Sequence, residues 1–341
     1  MTECLYQSSL WKTIQTTIYG KKSTEIEIFE KKYFCLIKEK KIWFLTFQRY
    51  QILGIILPDN DEYIKSELWR IKEELKKKEN IISLQLWCIN EFARFHNDKK
   101  LSETFKEEIK EKRLKINQEL TSKFWLKIAF RENMPVSNIV YNVQKEDQIL
   151  LEEMHDSCKT KVKRAMRKNI AFKIISSDEE LETFYQDWEQ VSGKKWFGII
   201  PKEQYYKLVH YLNSTNQWCI FVTEIDNDIV WWSIILFNND TYTYLYGFWN
   251  RKYQNIGGHH FLKFKIFQYA REKQIQYVDA MWWAPTGFPD HHLKGVSDFK
   301  ESLWWEKIEY YGNFDLVLNP FTYWIFKQYK KIQNWWKNKN S

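Results

Sequence analysis

Apolar positions in the first half of the chain fall into short, dense runs separated by charged stretches with a helical period. Lys41 to Ile56 (KIWFLTFQRYQILGII) reads as buried strands, closed by a Pro58-Asp59-Asn60 turn. A charged amphipathic helix is predicted over Glu62 to Lys78, a strand over Ile81 to Leu86, and a second charged helix over Phe105 to Leu120. Asn138 to Val143 reads as a strand before the polar break Gln144 to Asp147. In the second half, helices are predicted over Asp178 to Val191 and Lys202 to Leu212. Strands follow over Cys219 to Ile225, Val230 to Phe237 and Thr241 to Gly247, then a helix over Gly258 to Lys273 and a strand over Tyr277 to Met281. Strands alternating with helices imply mixed α/β layers, not a bundle or a sandwich.

Composition changes this picture at one point. The 341 residues hold 18 Trp and only 10 Gly, where an ordinary domain would have roughly 24 Gly. Eight of the Trp form adjacent pairs: Trp231-Trp232, Trp282-Trp283, Trp304-Trp305 and Trp335-Trp336. Three of these pairs fall at strand or turn positions that suit Gly-Gly. One reading is that UGA codons, read as glycine in the source organism, are translated here as tryptophan. The other is a Trp-rich sugar-binding or interfacial protein, and the lack of a common Trp face argues against it.

Hydrophobic residues make up 44% of the chain, enough for real cores in one large domain or two of about 170 residues. The modest net charge of +8 suits phosphate-bearing partners such as RNA, nucleotides or anionic lipid, and equally a merely soluble surface. Five scattered cysteines without a C-x-x-C pair argue against a zinc site or a disulfide framework. The start MTECLYQSSLW has no signal-peptide pattern, and no apolar run approaches a membrane span, so a cytoplasmic location is expected. No Ser-His-Asp order, H-E-x-x-H or P-loop is present, which leaves a hydrolase or NTPase without support.

The order strand, strand, strand, turn, helix, strand in the second half is that of a GNAT-like N-acyltransferase core. The turn Arg251 to His259 runs into a helix start, where backbone N–H groups favour an anion. His259 stands where a coenzyme A turn takes Gly or Ala.

Several segments resemble the Fem family (FemABX), aminoacyl-tRNA-dependent peptidyltransferases that build peptidoglycan cross-bridges. Tyr6-Gln7-Ser8-Ser9-Leu10-Trp11-Lys12 is similar to the family's opening Q-S-x-x-W, and Ser157 to Ala165 to its basic helix. Tyr244-Leu245-Tyr246-Gly247 resembles its Y-x-Y-G strand. With Gly read at the Trp pairs, Ile229 to Ser233 becomes I-V-G-G-S, Asp279 to Trp283 becomes D-x-x-G-G, and Gly295 to Glu306 becomes G-V-x-x-F-K-x-x-x-G-G-E. Tyr311-Gly312 and Asp315 to Pro320 are similar to the family's C-terminus. Trp196 and Trp249 fit the same recoded set.

The resemblance implies an α/β fold of two GNAT-like domains in tandem, residues 1–149 plus 311–341 and residues 150–310, without the coiled-coil arm of some relatives. It implies transfer of an amino acid from aminoacyl-tRNA to an amine of a nucleotide- or lipid-linked peptidoglycan precursor, with peripheral contact at the inner membrane face. No metal or cofactor is required, because the ester is already activated. Lys300, beside Phe299, is the implied cation near the developing oxyanion.

For substrate binding, Lys161, Arg164 and Lys168 fall at i, i+3 and i+7 and suit phosphates. Trp11, in the opening motif, is a further substrate-binding candidate; Tyr205 and Tyr246 are candidates for the peptide groove, and Asp279 for bracing the turn. Gln15 stands where some relatives carry a phosphate-contacting Lys, and Ile200 where an Arg is expected. His291 and His292, being adjacent, are expected to face apart. An acyl-CoA-dependent N-acyltransferase and a non-catalytic RNA- or wall-precursor-binding module are the alternatives.

Overall fold

The computed structural model describes residues 4–42, 45–96, 101–168, 170–193, 200–226, 228–249, 256–303 and 306–339. The N-terminal segment forms a short helix α1 (Ser9–Thr13) running into a π-helical turn, Ile14–Ile18. An antiparallel ribbon follows, β1 (Ser23–Ile28), β2 (Lys31–Ile42) and β3 (Leu45–Ile55). Helix α2 (Asp61–Lys76) crosses over to β4 (Ile81–His96), which lies parallel to β3. The Asn60 side chain caps α2 by accepting from the Tyr63 amide, and Ile64, Leu68, Ile71 and Leu75 form its buried stripe.

Helix α3 (Glu103–Lys123) and the short β5 (Leu126–Ile128) lead to β6 (Ser137–Asn142). Helices α4 (Asp147–Glu153) and α5 (Asp156–Arg167) precede β7 (Ala171–Ile175), α6 (Asp178–Gly193) and α7 (Lys202–Thr215). Only eight residues separate α6 from α7, so no long arm is inserted there. The second half then repeats the plan of the first. Antiparallel β8 (Trp218–Ile225), β9 (Asp228–Asn238) and β10 (Thr241–Trp249) are followed by crossover helix α8 (Gly258–Glu272) and β11 (Tyr277–Asp279), parallel to β10. Helix α9 (Lys294–Glu301), β12 (Glu306–Val317) and α10 (Pro320–Lys339) complete the chain.

Among the described residues the strands join into one sheet, in the order β1-β2-β3-β4-β12-β6-β11-β10-β9-β8-β7, with β5 also on β12. Strand β12 stitches the two repeats together. Its Gly312–Val317 stretch pairs with Cys88–Ser83 of β4, and its start, Glu306–Glu309, pairs with Val140–Ser137 of β6. Strand β6, expected with the first unit, pairs with β11 of the second repeat.

A buried charge network crosses this seam. Glu309 on β12 accepts from Arg113 of α3 at 2.5 Å and lies 3.3 Å from the Lys307 ammonium, which donates to the Ala284 carbonyl at 3.0 Å. Thr286 closes the far side of the Glu309 carboxylate through its backbone N–H at 3.1 Å and its hydroxyl at 2.5 Å. Burial alone would raise the Glu309 carboxyl, but Lys307 and Arg113 outweigh it and bring it to about 2.

Candidate functional site

Strands β10 and β11 stay paired for three residues only, Thr241 to Thr243 against Tyr277 to Asp279. Beyond that point β10 continues along β9 with a bulge between Tyr244 and Tyr246, while the chain after Asp279 leaves it. The exit keeps to the β6 side, where Ala280 N–H donates to Ile139 and Trp283 N–H to Ser137. Met281 and Trp282 make the bend at φ of +51° and +40°. That splay opens a wedge in the sheet.

Lys300 of α9 reaches this wedge. Its ammonium donates to the carbonyls of Ala280 (2.7 Å), Met281 and Trp282 (2.8 Å). Asp279, just before the bend, accepts from the Met281 amide at 2.7 Å and from Asn138 Nδ2 at 3.0 Å. Burial brings Lys300 down to about 7, partly opposed by the Asp279 charge. Burial likewise lifts Asp279 to about 6, against the Met281 amide, Lys300 and Asn138. Two groups of opposite type are thus poised within about one unit of neutrality, as groups at working sites often are.

A second lysine shares the wedge, and the sequence reading missed it. Lys263 of α8 holds its ammonium 2.9 Å from the centre of the Tyr244 ring. Burial and then the Lys300 charge push its pKa well below the usual lysine range. The pattern that could have marked it is a charged residue inside the apolar run Phe261 to Phe267.

Phe299 is held between aromatic neighbours, with the His259 and His260 rings 4.4 and 5.0 Å from it. Burial and the nearby Lys161 keep both histidines neutral, at about 4 and about 2; Lys263 adds to this at His259, and His259 itself does so at His260. Helix α8 is N-capped by Gly257, φ +81°, where a Cβ would lie 2.6 Å from the Lys161 Cβ. Glycine is required there because α5 comes so close. The next residue, Gly258, has the Trp231 ring against it: a Cβ would sit 2.0 Å from that ring. Trp231 is fully buried and fills the space beneath the start of α8.

The other candidates divide. Lys161 is half-buried beside the α8 start and Arg164 is exposed on the same helix. Helix α5 ends at Arg167, so Lys168 is its C-cap, not a third position on the same helical face. Tyr205 is a correction: it is fully buried, its hydroxyl turned to the Leu181 carbonyl, and so lines no groove. Trp11 is half-buried, edge-on to Tyr6 at 5.0 Å, and belongs to the junction between the N-terminal helix and the sheet.

Ile200 is a core residue. Gln15 is buried too, but its Oε1 accepts from the Lys21 ammonium at 2.6 Å. A cation therefore stands beside Gln15 although the residue itself is neutral. Lys21 lies near Tyr19, and the Tyr19 phenol, kept neutral by burial, neighbours Tyr246. Nothing local singles out Lys21 in the polar run Gly20 to Thr24.

His291 and His292 also need correcting, since their rings lie together, 4.3 Å apart at 37°. His291 is 3.5 Å from Glu132, and no cluster of three or more metal-type ligands occurs among the described residues. The Trp304-Trp305 pair, Trp196, Trp43 and Arg251 to Asn255 of the predicted turn lie outside the described residues.

A family model for an acetyltransferase (GNAT) domain matches residues 156–301, the span that carries the wedge. Across the whole chain, the crystal structure of FemX superposes with a TM-score of 0.68 at 17% identity, covering 95% of this chain and 94% of that one. The chain has the FemX fold. The order β8-β9-β10-α8-β11 of the second repeat is matched by β1-β2-β3-α2-β4 in the first. More distant folds include L-PGS from Bacillus licheniformis (14% identity, 90% and 92% covered, TM-score 0.47). A tandem GNAT protein from the clavulanic acid biosynthesis pathway is another (7% identity, 86% and 81% covered, TM-score 0.44). No curated protein matches the sequence. Among the described residues no helix is long and apolar enough to cross a membrane.

Proposed function

We propose that the chain transfers an aminoacyl group from aminoacyl-tRNA to an amine on the stem peptide of a peptidoglycan precursor. The observation that carries this reading is the half-buried Lys300, held by three backbone carbonyls at the mouth of the β10–β11 splay beside Phe299. The FemX-like fold over nearly the whole chain supports it, as does the Fem-like F-K segment at Phe299-Lys300.

In this reaction the amine nitrogen attacks the ester carbonyl carbon. The C–N bond forms as the carbonyl becomes an oxyanion. Collapse then breaks the C–O bond to the ribose, and the proton lost by the amine passes to the leaving ribose oxygen. The protein's part is alignment and a fixed positive charge, with no covalent intermediate. Lys300 supplies that charge while protonated. Its three carbonyl partners keep it in place, so little reorganisation is needed as the oxyanion develops. Lys161 and Arg164 suit tRNA or precursor phosphates, and Lys21 provides the cation that Gln15 lacks.

Transfer by an acyl-CoA-dependent N-acyltransferase is the second reading, favoured by the GNAT model match over 156–301. The His259 ring at the helix start and the Trp231 ring beneath Gly258 stand against it, since both occupy space near the amides a coenzyme would use. Calorimetric titration with coenzyme A, beside a transfer assay with aminoacyl-tRNA, separates the two. Coenzyme A binding together with silence toward aminoacyl-tRNA would sink the proposal.

A further inference from the structure

Far from the wedge, the β2–β3 hairpin and helix α10 enclose a separate cleft of about 570 Å³, counted out to its open mouth. In the hairpin register Lys38 stands opposite Arg49 and Lys40 opposite Phe47, so all four share one face. Phe326 of α10 and Phe130 cover that face, 5.9 Å from one another, with Phe47 also 5.9 Å from Phe326. Lys330 and Arg131 complete the rim. Five cations and one carboxylate, Glu39, therefore line a single hollow with an aromatic floor.

Charge balance within the protein does not account for this arrangement. Glu39 is engaged by Lys22 at 3.0 Å. Arg49 is neutralised from behind by Asp315, also at 3.0 Å, and its guanidinium stacks over Phe130 at 4.8 Å. Lys38, Lys40 and Arg131 have no carboxylate partner among the described residues. Like charges gathered without a counter-ion repel, a cost that an anionic ligand removes. Partial enclosure, with the charges of Lys21, Arg49, Arg131 and Lys330, brings the Lys38 ammonium down to about 8.

We propose that this cleft is a binding site for a phosphate or pyrophosphate group, held by Lys38, Lys40 and Arg131, with the attached apolar or planar part of the ligand against Phe130 and Phe326. Arg131 offers a planar fork for two phosphate oxygens, while the lysines act as movable point charges. The site does not depend on the transferase reading, since its residues belong to the first repeat and the C-terminal helix.

The test is calorimetric titration of the full chain with inorganic pyrophosphate, beside a Lys38→Gln/Arg131→Gln double variant. Both side chains are exposed, so the variant should melt with the parent. Binding is expected to weaken at least about tenfold in the double variant. It should persist in a Lys161→Gln/Arg164→Gln control, which removes cations of α5 instead. Sedimentation with phosphatidylglycerol vesicles, with and without pyrophosphate as competitor, identifies the source. Competition supports the site with a lipid headgroup as its natural occupant; pyrophosphate binding without vesicle binding supports it with a soluble phosphate ester. No pyrophosphate binding, or binding that the double variant leaves unchanged, overturns the proposal whatever the outcome of any transfer assay.

Discussion

The Lys300 ammonium lies 2.8 Å from the carbonyl oxygen of Trp282, a residue bent to φ +40°. The half-buried lysine and the strained turn thus hold each other in place. Removing the ammonium frees the three carbonyls of residues 280–282, leaving the Ser297 hydroxyl of α9 on the Ala284 amide further along. Lys300→Ala is expected to lower aminoacyl transfer by about a hundredfold or more. Lys300→Met, which keeps the stem and its packing, should do the same while melting close to the parent. A Met variant with normal turnover would remove Lys300 from the mechanism.

Lys300 and Asp279 also set pH dependence. Lys300 falls from its ordinary 10.5 to about 7 on folding, so between these values the unfolded chain binds more protons and stability rises with pH. Asp279 rises from 3.8 to about 6, so between those values the folded chain binds more protons and stability falls as pH rises. Denaturant midpoints measured across pH 4 to 10 should therefore dip near neutrality. Lys300→Met should flatten the alkaline rise, and Asp279→Asn the acidic fall. Transfer, which uses the charged form of Lys300, should decline above about pH 7, as read from kcat against pH. A rate that climbs steadily through that range would contradict the cation role.

The seam network gives a stability prediction. Glu309 drops from 4.5 to about 2 on folding, so its contribution is present above 4.5 and is lost as pH falls toward about 2. Glu309→Ala strands Arg113 and Lys307 in the interior and is expected to cost about 3–5 kcal/mol. Urea unfolding at neutral pH measures this. A cost near zero would mean that the two cations find water.

The tryptophans make opposite predictions at two sites. Trp231 is fully buried, so Trp231→Gly is expected to cost about 3–5 kcal/mol by leaving a cavity under α8. Trp282 occupies the left-handed region, where a side chain costs about 1–2 kcal/mol, so Trp282→Gly should cost far less. Trp125, at φ +54°, is a second tryptophan in a conformation that suits glycine. If UGA is read as glycine in the source organism, peptide mapping of the protein from its own host should find Gly at 231, 232, 282 and 283. A Gly at 231 would open space beside Gly257 and Gly258, at the helix start best suited to an anion. Tryptophan at all four positions would end the recoding reading.

Local pattern carried the second repeat well. Strands β8 to β10 and helix α8 fall within a few residues of the expected bounds, since each has a clean period and a turn at its end. In the first repeat the strands over Lys41 to Ile56, the helix from Glu62 and the strand from Ile81 were legible, whereas β1 and most of β2 went unread. Strand β4 runs on to His96, ten residues past the expected Leu86, because its far half mixes apolar with charged residues, is only partly buried and is held by pairing with distant β12. Phe299-Lys300 was legible as a short motif. Lys263 and Lys21 were not, because what distinguishes them is contact with Tyr244 and Gln15 across folded space, which no local spacing encodes. Tyr205 and Lys168 failed for a related reason: one faces the core and the other lies just beyond a helix end.

The most direct measurement is a transfer assay in which the purified chain meets a labelled mixture of aminoacyl-tRNAs and a muramyl-pentapeptide precursor, offered in nucleotide-linked and lipid-linked forms. Mass spectrometry of the precursor reads the product. The account predicts a gain of one aminoacyl residue on the stem peptide, dependent on tRNA and abolished in Lys300→Met. An unmodified precursor in both forms, with acyl transfer from coenzyme A thioesters instead, would contradict it.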